Sequence, residues 1–298
     1  MAGTAVRTPL VRLDVDAPVE IWLKLETLQP VNSFKIRGAY NAAMAAPRES
    51  VAQGLVTASA GNMAQGVAYA ARELGVPATI AVPDTAPQAK LAAIERLGGR
   101  SVPMSFDEWW GVIESHRFDG VNGLFIHPVE NDGVMAGNGT IGLELIEDLP
   151  DVDTVVVPVG GGGLITGIAS AVKQLRPGTR VVSAQPETAA AMAASLERGE
   201  PVEIDYRPTW IDGAGAKAIL PGMWPHLQEV VDDAAVVTLE EVEEAVRVLA
   251  GRVRVIAEGA GALALAAALA GRTGGRKVAC IVSGGNIDAA VLCRILNA

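Results

Sequence analysis

Residues 154–159, Thr-Val-Val-Val-Pro-Val, run apolar without a break, and Gly160 to Gly163 follow at once, before a helical stretch opens at Leu164. A strand with no polar alternation has no face for solvent, so it belongs inside a sheet covered on both sides. Similar runs recur at Val56 to Ala58, Ala78 to Val82, Ser101 to Met104, Arg180 to Ala184 and Lys277 to Val282. Between them, Asn62 to Leu74, Gln88 to Leu97, Leu164 to Leu175 and Leu239 to Arg252 read as helices. The first three are stopped by Gly75, Gly98-Gly99 and Pro177-Gly178. This alternation predicts an α/β, doubly wound fold with parallel sheets. Residues 109–138 read as more irregular, and no Ser- or Gly-rich linker separates two halves. The expectation is two packed parallel-sheet lobes with the site in the cleft between them.

Composition narrows the function classes. The 298 residues are 50% hydrophobic and 19% charged, which is the balance of a folded chain. A net charge of -10 lacks the cationic excess that tracks phosphate backbones, and 4% aromatic content offers few stacking platforms. No nucleic-acid partner is expected. Cys280 and Cys293 make no disulfide framework or zinc site, and they read as two buried thiols in a reducing compartment. No secretory leader pattern is seen. The longest apolar stretch, Gly259 to Gly271, is shorter than the roughly 20 residues that cross a bilayer. A soluble, cytoplasmic protein with no membrane partner is expected.

Four segments can carry chemistry. Four glycines between a strand and a helix leave backbone N–H groups uncovered at the positive end of a helix dipole, which suits a phosphate. No Gly-Lys-Ser/Thr follows, so this is not a Walker loop, and Ile165 and Thr166 stand where a dinucleotide fingerprint needs its third glycine. The alternative is a tight strand-to-helix turn, for which one or two glycines would suffice. Gly259-Ala260-Gly261-Ala262-Leu263-Ala264 also matches GxGxxA, between a strand-like stretch and an apolar helix; close helix–strand packing accounts for its small residues more simply. Lys35, beside Phe34 at a helix entry, could form a Schiff base, although an isolated lysine there is more simply a solvated one. Ser59-Ala60-Gly61-Asn62 offers helix-start amides suited to a carboxylate, or an ordinary cap. Ser283-Gly284-Gly285-Asn286 follows the last strand, where open α/β sheets place ligands, and reads equally as a plain turn.

Taken together and in this order, Ser33-Phe34-Lys35-Ile36-Arg37-Gly38-Ala39, Ser59-Ala60-Gly61-Asn62, the tetraglycine loop and Ser283-Gly284-Gly285-Asn286 resemble the fold-type II pyridoxal-phosphate enzymes, which are tryptophan synthase β-like. Within them the chain looks most like the threonine/serine dehydratase and serine racemase branch. The resemblance spans nearly the whole chain. It implies pyridoxal 5'-phosphate as cofactor, an amino-acid substrate and a homodimer. It also implies a large cofactor-binding domain from residues 1–44 and 132–298, with a small domain from 45–131.

By this resemblance Lys35 would be the catalytic lysine and carry the Schiff base, with Phe34 against the pyridine ring. Asn62 would bond the ring hydroxyl. Gly160, Gly161, Gly162, Gly163 and Leu164 would hold the phosphate. Ser283 would face the pyridine nitrogen, and Glu258 would be the acid beside the cofactor. Ser59, Ala60, Gly61, Asn62 and Met63 would line the substrate carboxylate. Asp212 would lie on the substrate side, by a looser match. A neutral serine at the pyridine nitrogen favours elimination over transamination.

Three departures from the family pattern bear on function. Ala60 stands where serine racemases of this branch have a second serine as acid–base, so elimination is favoured over racemisation. Met63 replaces a common His, which fits either a more apolar substrate or a position whose backbone N–H alone matters. Gln185 and Ala191 stand where metal-binding members have Glu and Asp. Hard cations need anionic oxygens, so no metal is expected there, and Glu187 is out of register. The expected activity is a carbon–oxygen lyase that deaminates an L-3-hydroxy amino acid such as threonine or serine. The alternatives are an amino-acid racemase, or a dehydratase or β-replacing synthase for a bulkier 3-substituted amino acid. The short stretch after Ser283 leads us to expect no regulatory domain.

Overall fold

The computed structural model describes residues 3–298. In chain order they form β1 (Leu10–Arg12), β2 (Glu20–Leu25), a 3-10 turn at Glu26–Leu28, α1 (Lys35–Ala45) and α2 (Arg48–Ala52). Next come β3 (Leu55–Ala58), α3 (Asn62–Leu74), β4 (Ala78–Pro83), α4 (Gln88–Arg96), β5 (Gly99–Met104), α5 (Phe106–Ser115), β6 (Leu124–Phe125) and α6 (Asp132–Asp148). Then follow β7 (Thr154–Pro158), α7 (Gly163–Leu175), β8 (Arg180–Pro186), α8 (Ala191–Arg198), α9 (Trp224–Val230), β9 (Asp233–Val237) and α10 (Leu239–Val248). A π turn at Leu249–Val253 leads to α11 (Gly259–Leu269), β10 (Lys277–Val282) and α12 (Ala289–Asn297).

The chain divides into two compact units. One takes the segment ending at Val6 and Gln29–Asn138; the other takes Arg7–Leu28 and Gly139–Ala298. The division drawn from the sequence, after residue 44 and before residue 132, differs because α1 packs closely on α3. A Cβ at Gly66 of α3 would stand 3.1 Å from the Lys35 carbonyl carbon of α1. Small residues at the crossing bind the two helices into one unit.

The first unit is built on a four-stranded sheet, β5-β4-β3-β6, parallel throughout. Its core gathers Ile36, Leu55, Met63, Val67, Ile80, Ile94 and Ile126. Helix α3 ends as the sequence predicts, with Gly75 left-handed at φ 69°. The stretch at 109–138, expected to be irregular, is regular over about half its length. It holds most of α5, a two-residue strand and the start of α6. Ser105 and Glu108 form a capping box that starts α5. Asn131 Oδ1 accepts from Val134 N at 3.0 Å in the first turn of α6.

The second unit has a six-stranded sheet in the order β1-β2-β10-β7-β8-β9. It is parallel except for β1, which runs antiparallel to β2, so the sheet is mixed at that edge. Helix α11, Gly-Ala-Gly-Ala-Leu-Ala-Leu-Ala-Ala-Ala-Leu, has no polar face and is buried over nearly its whole length. The stretch before it is no strand; it is the π turn and an extended loop, with Arg254 left-handed at φ 63°. The helix predicted to Arg252 is α-helical to Val248 and continues as a π-helix to Val253. Cys280 is buried as expected, whereas Cys293 is exposed. On α12 the inward stripe is Val291, Leu292 and Ile295, and Cys293 points off it. Among the described residues, no helix is long and apolar enough to cross a membrane.

Candidate functional site

The residues singled out in the sequence divide between the two units. In the second unit β7 and β10 lie side by side and parallel, with Cys280 opposite Val156. Their following loops, Gly160 to Gly163 and Ser283 to Asn286, therefore leave from one edge of the sheet, the carboxyl edge where such sheets bind ligands. Gly215 N donates to Val159 O at 2.8 Å, which lays the segment after Asp212 along the glycine loop. A Cβ at Gly160 would lie 3.4 Å from Ala214 Cα, and one at Gly213 would lie 3.4 Å from Glu258 Oε1. Glu258 N in turn donates to Gly284 O at 3.0 Å. The structure thus brings Gly160, Gly213, Glu258 and Gly284 into one cluster. Glu258 and Ser283 are buried there, and Asp212 is exposed.

The glycine loop is shaped for an anion. Gly162 sits at φ +100°, a region side chains avoid, and a Cβ there would lie 2.9 Å from Leu227 Cδ1. Helix α7 starts at Gly163, so its first-turn amides, Leu164 among them, lie at the loop with the positive end of the helix dipole. A phosphate fits this cradle, and the buried Ser283 follows the neighbouring strand at the same sheet edge.

In the first unit Lys35 is the first residue of α1. Its Nζ donates to Pro128 O at 3.1 Å and lies 5.1 Å from the centroid of the Phe34 ring. Ser59 to Asn62 form the loop between β3 and α3. Gly61 N donates to Ser59 Oγ at 3.1 Å, and the space a Gly61 side chain would take is open. Asn62 begins α3, so a carboxylate at this loop meets the positive end of another helix. Ala60 is half-buried, while the Met63 side chain is buried in the unit's apolar core with Ile36.

One group escaped the sequence reading. His127 follows β6 and is 2% exposed. Its Nδ1 accepts from Val129 N at 3.1 Å and from Glu130 N at 2.6 Å. Its ring stacks on His116 at 4.3 Å, and His116 Nε2 lies 3.2 Å from Glu130 Oε2. Burial, then the charges of His116 and Lys35, push the His127 imidazole down to about 4. The signal was a histidine before a proline at a strand end, in a chain with three histidines. His116, His127 and Glu130 are close enough to be weighed as cation ligands. Stacked parallel rings do not aim their lone pairs at one point, however, and the Nδ1 lone pair already serves two amides. At the position where the family's metal ligand would fall, Gln185 is buried, donates to Val159 O at 3.2 Å and accepts from Met192 N at 2.8 Å.

Parallel sheets with glycine-rich loops at their carboxyl edges, one opening onto a helix N-terminus, define a class of α/β enzymes that bind a phosphorylated small molecule. The profile of the family described as "Pyridoxal-phosphate dependent enzyme" matches residues 2–284, and the chain belongs to that family. It is 43% identical over 281 residues to the L-threonine ammonia-lyase of Thermotoga maritima, covering 93% of this chain and 70% of that protein. Its fold is similar to that of threonine deaminase isoform 2 from Solanum lycopersicum, with a TM-score of 0.91, 36% identity and coverage of 99% and 88% of the two chains. Maize serine racemase is similar with a TM-score of 0.89 and 33% identity, over 99% and 93% of the chains. The chain is therefore a pyridoxal-phosphate-dependent enzyme, as its four motifs implied.

Proposed function

We propose that the enzyme is an ammonia-lyase that converts an L-3-hydroxy amino acid, L-threonine first and L-serine second, to the 2-oxo acid and ammonia. The observation that carries this reading is the 43% identity over 93% of the chain to an L-threonine ammonia-lyase. Bound pyridoxal phosphate supplies the electron sink for loss of the α-proton. The residues present fit it: a glycine loop with Gly162 at a backbone angle that side chains avoid, a neutral buried serine and a lysine at a helix start.

The chain's own groups then take these roles. Lys35, lodged against Phe34 and the Pro128 carbonyl, carries the cofactor and takes the α-proton as a free amine. Gly160, Gly161, Gly162, Gly163 and Leu164 hold the phosphate, and Phe34, Asn62, Glu258 and Ser283 hold the ring. Ser59, Gly61 and Asn62 orient the substrate carboxylate, with Ala60 and Met63 completing the segment and Asp212 on the substrate side. The first unit contains all of the small domain expected at 45–131, and the second most of the large cofactor-binding domain expected at 1–44 and 132–298. A cytoplasmic homodimer completes the proposal; the family resemblance and the two free cysteines support it.

A racemase is the second reading, favoured by the likeness to maize serine racemase. Ala60 weighs against it, because a methyl group has no proton to exchange and a placed acid–base group is worth about 10²–10⁴-fold in rate. Chiral chromatography of reactions with L-threonine and L-serine decides between them. The expected products are 2-oxo acid and ammonia with little D-isomer, and Ala60→Ser should raise the D-isomer. Abundant D-amino acid from the wild type would overturn the lyase reading. Borohydride reduction and peptide mapping should place the pyridoxyl group on Lys35. Label on Lys24, which is buried against Glu144 at 2.7 Å, or on exposed Lys217 would overturn that assignment.

A further inference from the structure

The geometry points to His127 as a positioning residue for Lys35, acting through the Pro128 carbonyl; the inference rests on the reading of Lys35 as the cofactor-bearing lysine. The loop that presents this carbonyl is pinned from both sides. Before it, Ile126 N donates to Val56 O at 2.7 Å, and Ile126 O accepts from Thr57 Oγ1 at 2.8 Å. After it, His127 Nδ1 gathers the amides of Val129 and Glu130. Pro128 stands between the two anchors with its φ fixed by the ring. Its carbonyl is thereby held where Lys35 Nζ donates at 3.1 Å.

The protonation state of the ring follows from these bonds. Nδ1 accepts two N–H groups, so it carries the lone pair, and the neutral ring holds its proton on Nε2. His127 Nε2 is buried without a hydrogen-bond partner. An unsatisfied buried donor carries a desolvation cost that an apolar core residue would not incur. What the imidazole adds is an acceptor aimed at the amides two and three residues ahead of it, and no apolar side chain offers one. Burial first, then the charges of the stacked His116 and of Lys35, disfavour a second proton on the ring, so the acceptor persists.

A carbonyl so fixed orients the amine each time Lys35 is released from the cofactor. A misplacement of about 1 Å in a reacting group costs on the order of 10²-fold in rate. The test compares His127→Asn, whose carbonyl oxygen can accept from amides two and three residues on, with His127→Leu and His127→Ala, which offer no acceptor. Folding is checked by circular dichroism. With L-threonine, the Leu and Ala variants should lose about 10–100-fold in kcat with little change in KM, and Asn should restore most of it. In cofactor-free protein, acetic-anhydride labelling of Lys35 across pH, read by peptide mapping, should shift in the Leu and Ala variants and match wild type in Asn. Nitrogen-15 spectra of wild-type histidines should show His127 as the neutral Nε2–H form down to pH 5.

Unchanged kcat and labelling in a folded Leu or Ala variant would overturn the proposal. So would a folded Asn variant as impaired as Leu, or an Nδ1–H tautomer in the wild type. The labelling and spectra need no turnover, so they decide the proposal even where the lyase reading fails.

Discussion

A Cβ placed on Gly261 would stand 2.3 Å from the carbonyl oxygen of Gly284. Helix α11 therefore enters the second unit in direct backbone contact with the turn that carries Ser283. The preceding glycine is equally confined, since a Cβ at Gly259 would lie 2.6 Å from the Trp210 ring. Both glycines of the GxGxxA match are consumed by packing, which is why that pattern marks a helix entry and not a dinucleotide site.

Gly261→Ala tests this contact. Alanine gains about 1 kcal/mol in a helix interior, but the opposing atom is backbone and cannot rotate away. Overpacking of this kind costs about 1–3 kcal/mol. The net expectation is a less stable protein by urea unfolding, together with weaker pyridoxal-phosphate retention as the Ser283 turn is displaced. An unchanged midpoint with unchanged cofactor content would contradict it.

The amide of Gln185 is committed to Val159 and Met192, and Ala191 brings no ligand. Activity should survive exhaustive chelation and should not rise when magnesium or calcium is added back. Turnover of L-threonine, before and after chelation and across added metal, is the measurement. Several-fold activation by either ion would show a cation site that these residues do not provide.

The depressed His127 imidazole links stability to pH. A histidine near 6.5 when unfolded and about 4 when folded leaves the unfolded chain binding more protons between those values. Stability should therefore fall as pH drops from about 6.5 to about 4, by at most ~3 kcal/mol, and this contribution should level off below. Denaturant unfolding of wild type and His127→Asn across that window should show the steeper slope in the wild type.

Cys280 lies wholly within β10, its Sγ 3.3 Å from Ala264 O, and burial pushes the thiol well above its ordinary range. Cys293 is exposed on α12. A maleimide should modify Cys293 in the native protein and reach Cys280 only in denaturant. Peptide mapping reads the result, and native labelling of Cys280 would mean that the strand opens readily.

Elements whose causes are local can be read from the residues alone. Helix α3 runs from Asn62 to Leu74 because a glycine able to turn left-handed follows it, and β10 runs from Lys277 to Val282 because its apolar run has no polar break. The four motifs were legible for the same reason: a glycine loop, a strand end or a helix start keeps its chemistry within a few neighbouring residues. Tertiary structure alone decided what depends on a partner distant in the chain. It set Met63 into the core beside Ile36 and turned Cys293 outward. It brought Gly160, Gly213, Glu258 and Gly284 to one sheet edge, and placed the Pro128 carbonyl against Lys35. His127 was hidden in a stretch with no hydrophobic period, because its meaning lies in two backbone amides and a lysine 92 positions earlier, and spacing along a chain does not encode distance in space.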